Sequence, residues 1–175
     1  ACGNTVRNVI TCPLAGICRN EVFDVTPYLT AYARYFVRKP FTQAMPRKSK
    51  TSFSPCLSDC AVAPFHDVGF VAQEKEIDGV KRKGFRIHVG GGSSIMPRSA
   101  PVLYDFVPVE DFLRVSEAVL RVFNKSDELR KNRMMARIKV LIDRIGIDAF
   151  REKVEEELQE PWAQETVNPE DYMLK

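Results

Sequence analysis

Four cysteines stand in two close pairs, Cys12-Pro-Leu-Ala-Gly-Ile-Cys18 and Cys56-Leu-Ser-Asp-Cys60. Thiolate sulfur selects iron–sulfur clusters, zinc or copper(I) over hard cations. Spacers rich in Pro, Gly and small residues let two separated loops deliver four sulfurs to the corners of a [4Fe–4S] cube. Structural zinc sites usually keep two to four residues between paired cysteines. Five separate Cys12 from Cys18, so a zinc-stabilised binding module is the weaker reading. The compact C-x2-C-x2-C run of bacterial ferredoxins is absent, which disfavours a stand-alone ferredoxin. Cys2 lies outside the pattern and is read as a bystander. An odd count of five cysteines argues against a disulfide framework and for a reducing, cytoplasmic setting.

Cations flank both pairs. The segment Met45-Pro46-Arg47-Lys48-Ser49-Lys50 precedes Cys56, and Arg7-Asn8 precedes Cys12. In a strand, Lys48 and Lys50 share one face. Two ammonium groups on one face repel unless an anion or solvent separates them. An arginine fork such as that of Arg7 suits a carboxylate or oxyanion. A soft-ligand metal site next to an anion site points to redox chemistry on a small oxyanion. Gly90-Gly91-Gly92 offers close backbone approach to a ligand, or a strained turn. It is not a dinucleotide fingerprint, which needs GxGxxG opening a helix. His66 and His88 have no metal-ligating partners at recognisable spacing and are read as ordinary polar or core residues. The Arg/Lys-rich stretch from Lys125 to Arg144 is read as a solvated helix face.

These residues need a scaffold. At 175 residues, 45% hydrophobic and 28% charged, the chain is long enough to bury a real core. A net charge of +3 is too small to argue for nucleic acid. No apolar run reaches the length of a membrane span, and the start lacks a signal-peptide layout. Residues 1–25 read as loop-like. Thr26-Pro27 predicts a helix start, capped by Thr26, with the helix running to about Arg38. Met45 to Phe53 predicts a strand feeding the second cysteine loop. Val68–Gln73 and Phe85–Val89 predict two strands joined around Asp78-Gly79, with Phe85, Ile87 and Val89 on one face and Arg86 and His88 on the other. The last third predicts helices. Val109, Phe112, Leu113, Val119, Leu120 and Phe123 form one stripe, and Ile138, Leu141, Ile142 and Ile145 another. Gly146 is expected to end the second helix and Asp148 to cap a third. The fold class is α+β, a mixed sheet with flanking helices. The first residue is not Met and 161–175 lacks apolar periodicity, so both ends read as cuts from something longer. The expected division is a module over 1–158 and a tail or linker over 159–175.

Taken together, several segments resemble the sirohaem-containing nitrite and sulfite reductase family. They are Thr5-Val6-Arg7-Asn8-Val9, Cys12 to Cys18, Met45 to Lys50, Cys56 to Cys60, Asp67 to Ala72 and Gly84 to Gly92. They cover about residues 3 to 95, and the helices to about Leu158 look like those that follow in the family. The resemblance implies a sirohaem coupled to a [4Fe–4S] cluster held by Cys12, Cys18, Cys56 and Cys60, with Cys60 as the bridging thiolate. It implies that Arg7, Lys48 and Lys50 bind the substrate oxyanion, while Asn8 and Arg47 hold the macrocycle's carboxylates. The glycines 90–92 are assigned to cofactor binding. The implied activity is six-electron reduction of sulfite to sulfide or nitrite to ammonia. The alternative is a [4Fe–4S] electron-transfer or assembly subunit without sirohaem catalysis. Family members carry two related halves, with the cationic motifs on one and the cysteines on the other. Here both occur in one module, so a second half-module or partner subunit is expected, together with an electron-donor protein or domain.

Overall fold

The computed structural model describes residues 3–94 and 96–174. Cys2 lies outside them. One five-stranded mixed sheet organises the chain in the order β1 to β5. The strands are β1 (Val6–Thr11), β2 (Ser49–Ser54), β3 (Val68–Ile77), β4 (Val80–Val89) and β5 (Val102–Pro108). β1, β2 and β3 are parallel, while β3–β4 and β4–β5 are antiparallel. Parallel neighbours need a crossover rather than a tight turn. The β1–β2 crossover carries helix α1 (Thr26–Phe36), and the β2–β3 crossover carries a 3-10 turn at Ala63–Phe65.

Side-chain alternation assigns the two faces. Thr51 and Phe53 of β2 pair with Val68 and Phe70 of β3, and these with Val89 and Ile87 of β4. All six are buried. Phe53 and Phe70 stack at 4.4 Å between ring centroids. Tyr32 from α1 meets both edge-on, and Phe112 from α2 (Phe112–Asn124) closes the cluster. Aromatic pairs at such separations add about 0.5–1.5 kcal/mol beyond area burial. Helices α1 and α2 therefore cover one face. The other face carries Lys50, Ser52, Ser54, Gly69, Arg86 and His88.

The two-residue link Asp78-Gly79 has positive φ at both positions, 53° and 74°. That is the left-handed pair a type I′ hairpin requires. The hairpin is longer than its apolar runs predict, because its outer half is exposed and carries charged residues.

The chain then forms α3 (Asp127–Arg130), α4 (Ile138–Ile145) and α5 (Ile147–Leu158). Gly146, at φ 82°, ends α4 as expected. Three sequence expectations shift. Residues 1–25 include β1. The helix at Thr26 starts after Val25, and Asp24 Oδ1 accepts the Thr26 amide at 2.9 Å, so a carboxylate rather than Thr26 supplies the polar contact. Asp148 lies inside the first turn of α5 and pairs with Arg151 at 2.5 Å. The described residues beyond Leu158 fold back as 3-10 turns at Pro161–Gln164 and Pro169–Tyr172. Tyr172 packs on Tyr35 at 5.1 Å, and Arg34 donates to the Met173 carbonyl. A stretch without helical periodicity still packs when its few aromatics each find a slot. Among the described residues, no helix is long and apolar enough to cross a membrane.

Candidate metal centre and anion pocket

Parallel pairing puts the C-terminal ends of β1 and β2 side by side. Cys12 follows β1 directly, and Cys56 follows β2 after Pro55. The two cysteine loops are tied together, since the Val22 amide donates to the Pro55 carbonyl at 2.8 Å. Residues 12–18 wind into a tight turn, with Cys18 N–H donating to Leu14 O and Gly16 at φ 86°. The Leu14 amide points at Cys12 Sγ, 3.4 Å away. In the second loop Asp59 takes a left-handed φ of 48°. Its carboxylate accepts the Ser54 hydroxyl and, through both oxygens, the Ala63 amide at 2.9 and 3.0 Å. That contact fixes the turn from which Cys60 projects.

Cys12 and Cys56 are buried, Cys18 is half-buried and Cys60 is exposed. The charge of Cys12, then slight burial, then Cys56 and Cys18 push the Cys60 thiol above its ordinary range. All four sulfurs thus share one neighbourhood, and four thiolates together are unfavourable without a cationic centre. Among the described residues, no three His, Cys, Asp or Glu side chains gather tightly enough to hold a single metal ion. Zinc draws its sulfurs in to about 2.3 Å from one ion. A four-iron cube takes one thiolate at each corner, so its ligands stand further apart. Four thiols on two neighbouring loops are a donor set that suits an iron–sulfur cluster.

The cations gather at the opposite end of the same strands. Register slips by one between Val6, opposite Ser49, and Val9, opposite Thr51. Three steps of β1 therefore span two of β2, and the extra residue places both Arg7 and Asn8 beside Lys50. Lys48 lies just before β2, and Ser49 between the two lysines is buried toward the helices. Partial desolvation, then the like charges of Lys50, Arg7, Arg137 and Arg47, lower the Lys48 pKa from the ordinary lysine range. Among the described residues, Arg7, Arg47, Lys48 and Lys50 form no salt bridge. At about 3.3 Å per strand residue, Arg7 stands roughly 15 Å along the chain from Cys12, and Lys50 roughly 20 Å from Cys56. Ser52 Oγ lies between the two ends, buried and without a hydrogen-bond partner among the described residues.

Arg137 is the residue the sequence reading missed. It precedes α4 in a stretch read as solvated, yet pairs with buried Asp67 at 2.6 Å. Burial raises the Asp67 pKa, and Arg137 and the Lys50 amide oppose that rise. Arg47, Lys48, Met96, Arg137 and Lys139 border a pocket of about 190 Å³. Lys139 is only 5% exposed and donates to the Met96 carbonyl. The available signal was Arg137 and Lys139 bracketing apolar Ile138 at a helix start. A larger cleft of about 390 Å³ near Glu110, Asp111 and Arg114 lies away from both clusters and mixes charges of both signs.

The three glycines lie where the backbone is closely packed. A Cβ on Gly91 would stand 2.0 Å from the Pro64 carbonyl, and one on Gly90 would stand 2.6 Å from Ile142. Those two let the strand exit pack against the protein's own backbone and α4, so the space beside them is protein. Only Gly92 faces Arg137 and Lys139, at 3.4 and 3.6 Å. His66 and His88 each bond a backbone carbonyl through Nδ1.

Residues 2–162 match the nitrite and sulphite reductase 4Fe–4S domain. The chain belongs to that family. Within this 4Fe–4S domain family it is 37% identical over 157 residues to the sulfite reductase [ferredoxin] 1 of Mycolicibacterium paratuberculosis, covering 90% of this chain and 27% of that protein. It is 31% identical to the assimilatory ferredoxin-dependent nitrite reductase of Haloferax mediterranei, covering 89% of this chain and 27% of that one. The solved Mycobacterium tuberculosis NirA protein superposes with a TM-score of 0.80 at 37% identity, over 91% of this chain and 28% of that chain. This family member therefore spans little more than a quarter of the relatives it matches. A dissimilatory sulfite reductase, DsrI, at 14% identity and a TM-score of 0.67, shares the fold.

Proposed function

We propose that this chain is a sirohaem- and [4Fe–4S]-binding module of a reductase acting on sulfite or nitrite. The observation that carries the reading is the pairing of four thiols with a cluster of cations, of which Arg7, Arg47, Lys48 and Lys50 form no salt bridge among the described residues, at two ends of one pair of parallel strands. Cys12, Cys18, Cys56 and Cys60 hold the cluster. When bound, cluster and sirohaem would relay, one at a time, the six electrons that a donor protein or domain must deliver for each anion. Arg7, Lys48 and Lys50 bind the anion and offset its charge. Ammonium and guanidinium groups aimed at an oxyanion stabilise charge that develops there, and a lysine of lowered pKa is the readier proton donor as oxygens leave as water. Asn8, Arg47 and Gly92 line the space where carboxylates of the macrocycle fit.

In this reading the thiols and the cations serve different parts of the cofactor assembly, since Arg7 and Lys50 lie roughly 15–20 Å along their strands from Cys12 and Cys56. A second half-module or partner subunit completes the site in this reading, and an electron-donor protein or domain feeds it. A reducing cytoplasm suits the free thiols. The absorption spectrum of the full-length native protein tests the proposal. A Soret band with a red-region band, lost together with sulfite and nitrite turnover when the cofactor is removed, is the expected result. Iron and sulfide without that spectrum would instead favour an electron-transfer or assembly role, and zinc without iron would overturn both.

A further inference from the structure

Asp67 is a buried carboxylate placed among the cations, where simple electrostatics would have it compete with an incoming anion. Its geometry shows otherwise. Oδ1 accepts both Nε and Nη2 of Arg137, at 3.0 and 2.6 Å. Oδ2 accepts the backbone amide of Lys50 at 2.9 Å. Asp67 is 1% exposed, so both oxygens are spent below the pocket rather than inside it. Seventy residues separate it from Arg137, yet this contact ties the start of α4 to the lysine-bearing end of β2. The guanidinium then stands among the charges felt by Lys48 and borders the pocket with Arg47 and Lys139. The cradle is close-fitting, for Arg137 Nη2 comes within 3.4 Å of where a side chain on Gly92 would begin.

We propose that Arg137 is a fourth cation of the anion site, beside Arg7, Lys48 and Lys50, and that Asp67 is the positioning residue that holds it there. The inference rests on the anion-binding role assigned to Arg7, Lys48 and Lys50. It is separable from that role because charge counting and positioning give opposite signs. Removing the Asp67 charge makes the pocket more positive by one unit, and on charge alone Asp67→Asn would bind anions more tightly. Under positioning, the guanidinium loses its charge-assisted fork and affinity falls.

The test is calorimetric titration of inorganic sulfite into the full-length protein, comparing wild type, Asp67→Asn, Arg137→Gln and the double variant, with circular-dichroism melts as the folding check. Loss of one charge-assisted contact corresponds to an affinity drop of about fivefold or more. That drop is expected for Asp67→Asn, with the double variant no weaker than Arg137→Gln alone. Unchanged or tighter binding by folded Asp67→Asn overturns the proposal, as does full additivity in the double variant. Should Asp67→Asn fail to fold, Arg137→Lys serves instead. It keeps the charge without the fork, and wild-type affinity there would equally overturn the proposal. A wild-type protein that binds neither sulfite nor nitrite would sink the anion-site reading itself, and this inference with it.

Discussion

Lys48 shows how neighbours set the working range of one group. Desolvation and four nearby cations destabilise its charged form, so it titrates below an ordinary lysine. Anion binding is therefore expected to be full near neutral pH and to weaken as pH rises toward the lowered Lys48 value, before free lysines titrate. Arg7→Ala should move that alkaline limb upward by removing a repelling charge, though with weaker binding overall. Lys48→Arg should flatten it, since guanidinium does not titrate in this range. Sulfite affinity measured from pH 7 to 10 checks this, and a limb unmoved in Lys48→Arg would assign it to another group. Cys60→Ser removes one of four thiolates. Reconstituted iron and acid-labile sulfide should fall well below four per chain, with thermal stability of the apoprotein almost unchanged because Cys60 is exposed. Normal cluster assembly in that variant would remove Cys60 from the ligand set.

At the scale of elements, the site is held by joints that tolerate little change. Gly91 lies where the β4 exit meets the turn after the second cysteine loop. Its amide donates to His66 O, and the Pro64 carbonyl fills the place of a side chain. Gly91→Ala is expected to cost about 1–3 kcal/mol as backbone is forced apart, lowering Tm by roughly 2–4 °C per kcal/mol in a domain of this size. A second joint fastens α1 to α2. Burial alone would raise the Glu117 pKa, but Lys39, Tyr35 and Arg121 donate to its oxygens at 2.5, 2.5 and 2.8 Å, and the net effect is to lower it. A lowered carboxyl contributes stability that is complete above the ordinary value of 4.5 and is lost as pH falls through the folded value. Glu117→Gln should lose about 2–3 kcal/mol at pH 7 by urea unfolding. It should also show a flatter acid limb than wild type between pH 5 and 3.

For the molecule as a whole, apolar side chains crowd the rim of the thiol end. Leu14, Ile17, Leu57, Val62 and Phe65 are 53, 77, 73, 44 and 49% exposed. The proposed function calls for a second half-module or partner subunit, and this apolar rim is a surface on which one could dock. Ile17→Glu and Leu57→Glu should leave the unfolding free energy of the 175-residue chain within about 0.5 kcal/mol. In the cofactor-loaded protein with its partners they should lower cofactor content and raise hydrogen exchange around residues 12–18 and 56–60. Wild-type cofactor loading in both variants would place the rim on the outside of the assembly.

The α+β class, the strands at Val68 and Phe85, the helical stripes and the four cysteines were legible because each is a local pattern. Alternation, helical periodicity and pairwise spacing are written within a few residues. β1 was missed because its burial alternates only weakly at a sheet edge and its register slips at Arg7-Asn8. Arg137 and Asp67 were missed because their partnership spans seventy residues, and helical charge at Arg137 is indistinguishable in sequence from a solvated face. Residue types determined the chemistry open to this protein, soft thiolates for iron and fixed cations for an anion. Only tertiary structure decided where those groups stand. Parallel pairing of β1 and β2 sends both cysteine loops to one end and both cationic segments to the other, an outcome set by strand direction and not by any single stretch of chain.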